Sequence, residues 1–212
     1  MKKAILSFLF VGAVLSAAPV HVTLLDAGNN TVDSTGQYYV GPYTLTINGV
    51  ATPAMCVDDF IDNNIGDSWR AHVTKVDSSN FSKTYLGNGG ETIGGFDFSS
   101  AEIYRAEAYL FSLITRPGAD QADIQEAAWF IMDPTNPTYI GETGVESYLL
   151  AAYENSPKFD ASGYSIISDV KKGCKQEFIV ASAPEPASFF LFGGGLIAAG
   201  AARFLRRKQV KA

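Results

Sequence analysis

The nineteen residues 187–205 carry a single charge, so any domain that this chain folds in water has to end before them. A helix of this length spans about 28 Å, enough to cross the hydrocarbon core of a bilayer with Arg203 reaching back to the interface. A basic cluster follows at Arg206, Arg207 and Lys208. Positive charge beside a membrane span is typical of the cytoplasmic side, so we predict a transmembrane helix over 187–205 and an extracytoplasmic body before it.

The other end of the chain predicts export. Lys2 and Lys3 precede an apolar run over residues 4–15, and small residues follow at 16–18. This order is typical of a secretory signal peptide, which we expect to span residues 1–18. Because Pro19 follows Ala18, cleavage after residue 17 is an alternative, and an uncleaved anchor is another.

Between these ends, residues 19–183 are strongly acidic. They hold 21 of the 22 acidic residues and only nine of the 16 basic ones, a net charge of −12. A body with this charge has no basic patch for nucleic acid, so nucleic acid is excluded as a partner. The chain as a whole is 47% hydrophobic, which excludes a disordered protein and predicts one globular extracytoplasmic domain.

The pattern within the domain changes from strands to helices and back to strands. Period-two alternation and the dipeptide Asn48-Gly49, a strong hairpin signal, predict the strands, with Pro53 at an edge or a bulge. The predicted strands cover residues 20–24, 43–47, 50–56, 69–74, 164–170 and 174–180. Capping boxes open helices at Ser99 and Thr143, and a further helix covers about 120–132. We therefore predict an α+β fold, a β-sandwich or barrel with an insertion of about three helices.

The tripeptide Pro184-Glu185-Pro186 stands immediately before the predicted transmembrane helix. Its two prolines exclude a helix, so we expect an extended segment at the membrane surface. Together with the apolar helix and the basic tail, residues 184–212 resemble the PEP-CTERM sorting signal of Gram-negative bacteria. The resemblance implies processing by an exosortase, a membrane-embedded cysteine transpeptidase-like enzyme, and transfer to the cell surface, often together with exopolysaccharide. A plain C-terminal anchor is the alternative.

The chain has two cysteines, Cys56 and Cys174. In an exported protein a disulfide between them is the first expectation, and it would stabilise the fold by about 4 kcal/mol because it closes a long loop. Gln125 shares one side of the second helix with Ala128 and Trp129, at the border of an apolar face. An unpaired amide there is costly, so Gln125 is either hydrogen-bonded inward or used through its amide carbon.

These residues lie in two short motifs, Cys56-Val57-Asp58 and a helical run over residues 124–129 that contains Gln125 and Trp129. The motifs resemble those of the thioester domain of bacterial surface adhesins, in which the second motif reads Thr-Gln-x-Ala-Ile-Trp; Ile124 and Ala128 depart from it. The resemblance implies that the Cys56 sulfur condenses with the Gln125 amide, releasing ammonia, in surroundings that include Asp58 and Trp129. A disulfide and a free thiol remain the alternatives.

The two resemblances together predict an exported surface protein that attaches to other cells or to a biofilm or exopolysaccharide matrix. Its thioester would capture an amine once, so we expect no enzymatic turnover. The expected partners are the secretion machinery, an exosortase, exopolysaccharide or amine-bearing surfaces, and the membrane before processing. A non-reactive surface protein with a Cys56–Cys174 disulfide is the alternative.

We expect no cofactor and no metal ion. The loop over residues 58–67 lacks calcium-loop spacing, and a looser surface calcium site there is the alternative. His21 and His72 lack zinc spacing. We also expect no hydrolase, because no set of nucleophile, base and acid is visible. The predicted location is an inner-membrane precursor, then the periplasm, the cell surface or the extracellular matrix.

Overall fold

The computed structural model of the protein describes residues 18–28, 31–93, 95–136 and 143–181. They form an α+β domain of one closed barrel, three helices and a small hairpin, which confirms the predicted fold class and selects the barrel over the sandwich. The strands are β1 (Val20–Asp26), β2 (Tyr43–Ile47), β3 (Val50–Cys56), β4 (Ser68–Lys75), β5 (Glu91–Ile93), β6 (Phe96–Phe98), β7 (Tyr164–Asp169) and β8 (Phe178–Ala181). The helices are α1 (Ser100–Ile114), α2 (Gln121–Met132) and α3 (Thr143–Asn155), and a 3₁₀ turn follows at Ser156–Lys158.

The barrel is antiparallel throughout, with the strand order β1-β2-β3-β8-β7-β4 and closure between β4 and β1. Its interior holds one apolar cluster that includes Leu45, Cys56, Trp69 and Phe178. A second cluster lies between the barrel wall and the helices, and Met55 and Ile179 pair in the wall that faces them. The domain therefore has two adjoining cores that share the strands β3, β7 and β8.

The β2–β3 hairpin forms with the predicted boundaries. Asn48 and Gly49 take positive φ values of 50° and 84°, as a primed two-residue turn requires. The Asn48 side chain also accepts from the His21 backbone at 3.0 Å, which ties the turn to β1. Pro53 pairs with Thr44 of β2, whereas pairing of β3 with β8 starts one residue later at Ala54. Pro53 thus occupies the part of β3 with one neighbour, where its missing N–H leaves no gap in the ladder.

The three helices lie between β6 and β7, as predicted for the insertion. The side chain of Ser99 caps α1, and Glu102 completes the capping box. Asp120 caps α2 through the backbone N–H of Asp123 at 3.2 Å. On α3, Val145 and Ala152 are buried while Tyr148 and Leu149 are half-buried.

One predicted strand begins later in the structure. Residues 174–177 were predicted to begin the last strand but form a loop, because Gln176 and Glu177 bond to Asp58 on the facing loop instead of extending the ladder. In β4, Trp69 and Ala71 are buried whereas Val73 is 40% exposed. The polar stretch before α1 holds a hairpin of two short strands, β5 and β6.

The predictions for the two ends fall largely outside the described residues. This applies to the signal peptide except for its last residue, to Pro184-Glu185-Pro186, to the helix over 187–205, and to the basic residues Arg203, Arg206, Arg207 and Lys208. Within the described part of the chain, no helix is long and apolar enough to cross a membrane.

Candidate functional site

Cys56 is the last residue of β3 and is completely buried. Its thiol donates to the backbone carbonyl of Asp58 at 2.8 Å. Burial raises the pKa of this thiol well above its usual value, and the nearby Asp58 carboxyl raises it further. A hydrogen bond from the side chain of Trp129 acts in the opposite direction on the pKa. Cys56 is therefore a neutral, shielded thiol at ordinary pH.

Gln125 lies on α2 and reaches Cys56 directly. Its amide nitrogen donates to the backbone carbonyl of Cys56 at 2.5 Å, across 69 residues of sequence. The residue is fully buried, and its amide oxygen has no hydrogen-bond partner in the described part of the chain. The structure thus brings together the sulfur-bearing and amide-bearing residues that the sequence singled out, with Trp129 one helical turn further along α2.

Gly41 leaves room for the amide oxygen of Gln125. A Cβ atom at this position would lie 3.3 Å from that oxygen and 3.0 Å from the ring of Tyr43. Both distances are tighter than ordinary van der Waals contacts, so a larger residue at position 41 would press on the Gln125 amide. The loop before β2 therefore shapes the site as much as α2 does.

A group of buried acids adjoins the cysteine. Asp58 accepts from the Glu177 backbone N–H at 2.5 Å, and burial raises its pKa to about 8. Glu177 accepts from Ser168 and Tyr104, and burial raises its pKa as well. Glu107 is fully buried, and neither of its carboxyl oxygens has a partner among the described residues. Burial raises its pKa well above the ordinary range, and the neighbouring Asp58 and Glu177 raise it further. Burial therefore favours the neutral form of each of these acids.

The sequence prediction included Asp58 but missed Glu107 and Glu177. Glu107 stands on the buried stripe of α1, between Ile103 and Leu110. An acidic residue on the apolar stripe of a helix indicates a buried carboxyl, so the sequence pattern could have identified Glu107. Glu177 had no such signal, because its burial depends on β8 pairing with β3 far away in sequence.

The structure overturns the predicted disulfide. Both cysteines are free, with Cys56 buried at the end of β3 and Cys174 exposed in the turn between β7 and β8. Position 174 lies outside the ladder, and the residue of β8 that pairs with Cys56 is Phe178. The two thiols thus occupy different environments, one inside the barrel and the other in solvent.

Two further observations concern the surroundings of the thiol and metal binding. Met55 is fully buried beside Cys56, whereas Phe60 is 39% exposed and stacks on Tyr85 with the ring centres 4.9 Å apart. Among the described residues, no group of three or more His, Cys, Asp and Glu side chains is arranged to hold a metal ion.

Comparison with known proteins assigns the C-terminal end of the chain. The PEP-CTERM protein-sorting motif matches residues 182–208, a segment that contains Pro184-Glu185-Pro186 and the basic residues up to Lys208. The match supports an exported protein with a membrane-held precursor that an exosortase processes on its way to the cell surface. The described α+β barrel domain is therefore followed by a segment that matches the PEP-CTERM protein-sorting motif.

The body has no such assignment. No curated protein and no solved structure matches the chain. The resemblance to thioester domains therefore rests on the two short motifs around Cys56 and Gln125, without support from the comparisons.

Proposed function

We propose that this sorted surface protein attaches covalently to an amine-bearing target through an internal thioester between Cys56 and Gln125. Adhesion to other cells or to a biofilm or exopolysaccharide matrix would follow from that bond. The observation that carries the proposal is the hydrogen bond from the Gln125 amide to the Cys56 backbone, in a fully buried site where the amide oxygen has no partner.

Thioester formation needs no external reagent. The Cys56 sulfur attacks the side-chain carbonyl carbon of Gln125, the carbon–nitrogen bond breaks, and ammonia leaves with the thiol proton. Capture of the target takes place at the same carbon. An amine nitrogen attacks it, the carbon–sulfur bond breaks, and Cys56 leaves as a thiol. A thiolate is a good leaving group because its conjugate acid is far stronger than an alcohol.

Burial supports the survival of such a bond in water. Cys56 and Gln125 are 0% exposed, and Trp129 beside them is 1% exposed. A thioester exposed to bulk water hydrolyses, so a site closed to water is a requirement of this chemistry. Each molecule reacts once and ends as an amide, so we propose a single-use attachment device instead of an enzyme.

The first test measures the mass of the purified full chain before and after treatment with methylamine. We expect a deficit of one ammonia against the same chain carrying Gln125→Ala, after correction for the substitution itself. Methylamine should add to Gln125 and free one thiol at Cys56. Cys56→Ser, which keeps the side-chain volume but offers no sulfur, should lose both effects.

Cys174→Ser is the matched control, because Cys174 is a free, exposed thiol. It should leave the ammonia deficit and the methylamine reaction unchanged. A wild-type chain with its full mass, two titratable thiols after unfolding and no methylamine adduct would reduce Gln125 to a buried structural amide. The body would then be a non-reactive surface domain.

A further inference from the structure

A cleft with a volume of about 490 Å³ ends on the Trp129 ring that contacts the Cys56 thiol. Tyr38 stands edge-on to Trp129 with the ring centres 6.3 Å apart and is 41% exposed. Tyr39, at 48% exposure, and the buried Tyr43 also line the cleft. The cleft therefore offers aromatic faces and edges to a ligand next to the reactive pair.

Besides the apolar residues Leu24, Ala27 and Ile65, the remaining lining is acidic and rich in amides. Asp59 and Asp62 contribute carboxyl groups, and no Lys or Arg is among the lining residues of the described chain. The amides come from Gln37, Asn63, Asn64 and Gln176. Asp59 also accepts from the side-chain amide of Asn136 at 3.0 Å. Carboxylates favour a cation, whereas amides present donors and acceptors that match hydroxyl groups.

Asn63 gives an independent indication of a ligand. Both polar atoms of its side chain are covered, and neither has a hydrogen-bond partner in the parts of the chain that the structure describes. An unpaired amide of this kind is costly, and native proteins pair nearly all of them. A ligand hydroxyl that meets this amide after a rotation of the side chain would remove the cost.

We propose that the cleft binds an amino sugar with a free amino group, as part of a glycan, and presents that amine to the acyl group of Gln125. This inference rests on the proposed function, because it names the amine that the thioester captures. The tyrosine rings take the apolar face of the sugar, the amides take its hydroxyls, and Asp59 and Asp62 take its ammonium group.

The chemistry of the amine favours a sugar over a lysine. Electron-withdrawing oxygens next to the amino group make an amino sugar less basic than an alkyl amine, so more of it is uncharged and nucleophilic at neutral pH. The bound ammonium first loses a proton to solvent. The uncharged nitrogen then attacks the thioester carbon, the carbon–sulfur bond breaks, and the second proton lost by the nitrogen goes to the Cys56 sulfur. The Trp129 ring has to move aside for this step, because Cys56 and Gln125 are fully buried.

Binding is tested on the full chain carrying Gln125→Ala, which has no acyl donor. A β-1,4-linked glucosamine tetramer should bind at least tenfold more tightly than its N-acetylated counterpart or cadaverine, measured by calorimetry. Asp62→Asn and Tyr38→Ala should each abolish most of this preference. The matched controls, Asp77→Asn and Tyr153→Ala, change an exposed acid and an exposed tyrosine outside the cleft and should keep it.

The wild-type chain separates this inference from the proposed function. If methylamine couples but the glucosamine tetramer couples no faster than cadaverine at equal amine concentration, the cleft assignment is overturned and the thioester stands. Equal binding of the N-acetylated tetramer also overturns it, since the carboxyl groups would then have no role. If methylamine never couples while the tetramer binds with the stated preference, the sugar site stands and the thioester is overturned.

Discussion

Glu107 has the least favourable environment of the buried acids near Cys56. It lies on α1 with 0% exposure, and both of its carboxyl oxygens lack partners in the described part of the chain. Glu177, by comparison, accepts from the hydroxyls of Ser168 and Tyr104 and from the backbone N–H of Tyr85. Burial therefore raises the pKa of Glu107 and favours its protonated form in the folded protein, a requirement that the unfolded chain does not have.

This requirement predicts a stability that falls as pH rises. Above the usual glutamate pKa of 4.5 the unfolded chain loses the proton from Glu107 while the folded chain keeps it, so unfolding is favoured increasingly until the folded pKa is reached. Asp58, with a folded pKa of about 8, acts in the same direction from about pH 4 to 8. The side chain of Glu107→Gln is uncharged at every pH. This variant should therefore lose the part of the pH dependence of stability that comes from Glu107.

The measurement is the free energy of unfolding by urea at pH 5 and at pH 8. We expect the advantage of Glu107→Gln over the wild type to grow by up to ~1.4 kcal/mol for each pH unit above 4.5. Glu154→Gln, at an exposed position on α3, is the control and should differ from the wild type by the same amount at both pH values. If the free energies of unfolding of Glu107→Gln and the wild type differ by the same amount at pH 5 and at pH 8, the Glu107 carboxyl ionises in the folded protein.

Among the elements, the β2–β3 hairpin offers the cleanest test of local structure. Gly49 has a φ of +84°, and a Cβ atom there would meet nothing within 4 Å. Gly49→Ala therefore costs backbone conformation alone, and we expect a loss of about 1–2 kcal/mol in the free energy of unfolding. Gly163 also has open space around it but no positive φ, so Gly163→Ala should be close to neutral. If both substitutions change the free energy of unfolding equally, the positive φ does not explain the glycine at position 49.

The elements that the sequence predicts well are those whose ends are marked by local chemistry. Asn48-Gly49 marks the hairpin, the Ser99–Glu102 capping box begins α1, and Asp120 begins α2. Each signal lies within four residues of the structure it specifies. Barrel closure does not, because β4 pairs with β1 on one side and with β7 on the other, across about 90 residues in the second case.

The sequence likewise predicts one part of the candidate site and not the other. The contact between Gln125 and Cys56 was anticipated through the two motifs, whereas the exposed position of Cys174 was not, because it depends on where the ladder of β8 begins. Glu177 and the cleft depend on side chains brought together from the loops before β2, after β3 and before β8. Such long-range placement follows from the closed barrel and has no local pattern.

For the whole molecule, the sorting motif and the proposed thioester belong to different parts of the chain. The thioester that we propose would have to survive until the protein reaches the surface where its target is present. The buried positions of Cys56 and Gln125, both 0% exposed, fit that delay. The sorting motif matches residues 182–208, which follow the last strand, β8. We therefore expect sorting and capture to be separable by substitution.

Replacing Arg206, Arg207 and Lys208 together with glutamine tests this separation. We expect the variant to accumulate as unprocessed precursor, because loss of the basic cluster weakens the orientation of the predicted transmembrane helix relative to the exosortase. The readout is the ratio of precursor to released protein in membrane and surface fractions, with methylamine reactivity measured on each. The control neutralises three exposed body lysines, Lys83, Lys158 and Lys171, and should be released normally. Normal release of the tail variant would show that the basic cluster is dispensable, and loss of methylamine reactivity in the precursor alone would show that the thioester forms only after sorting.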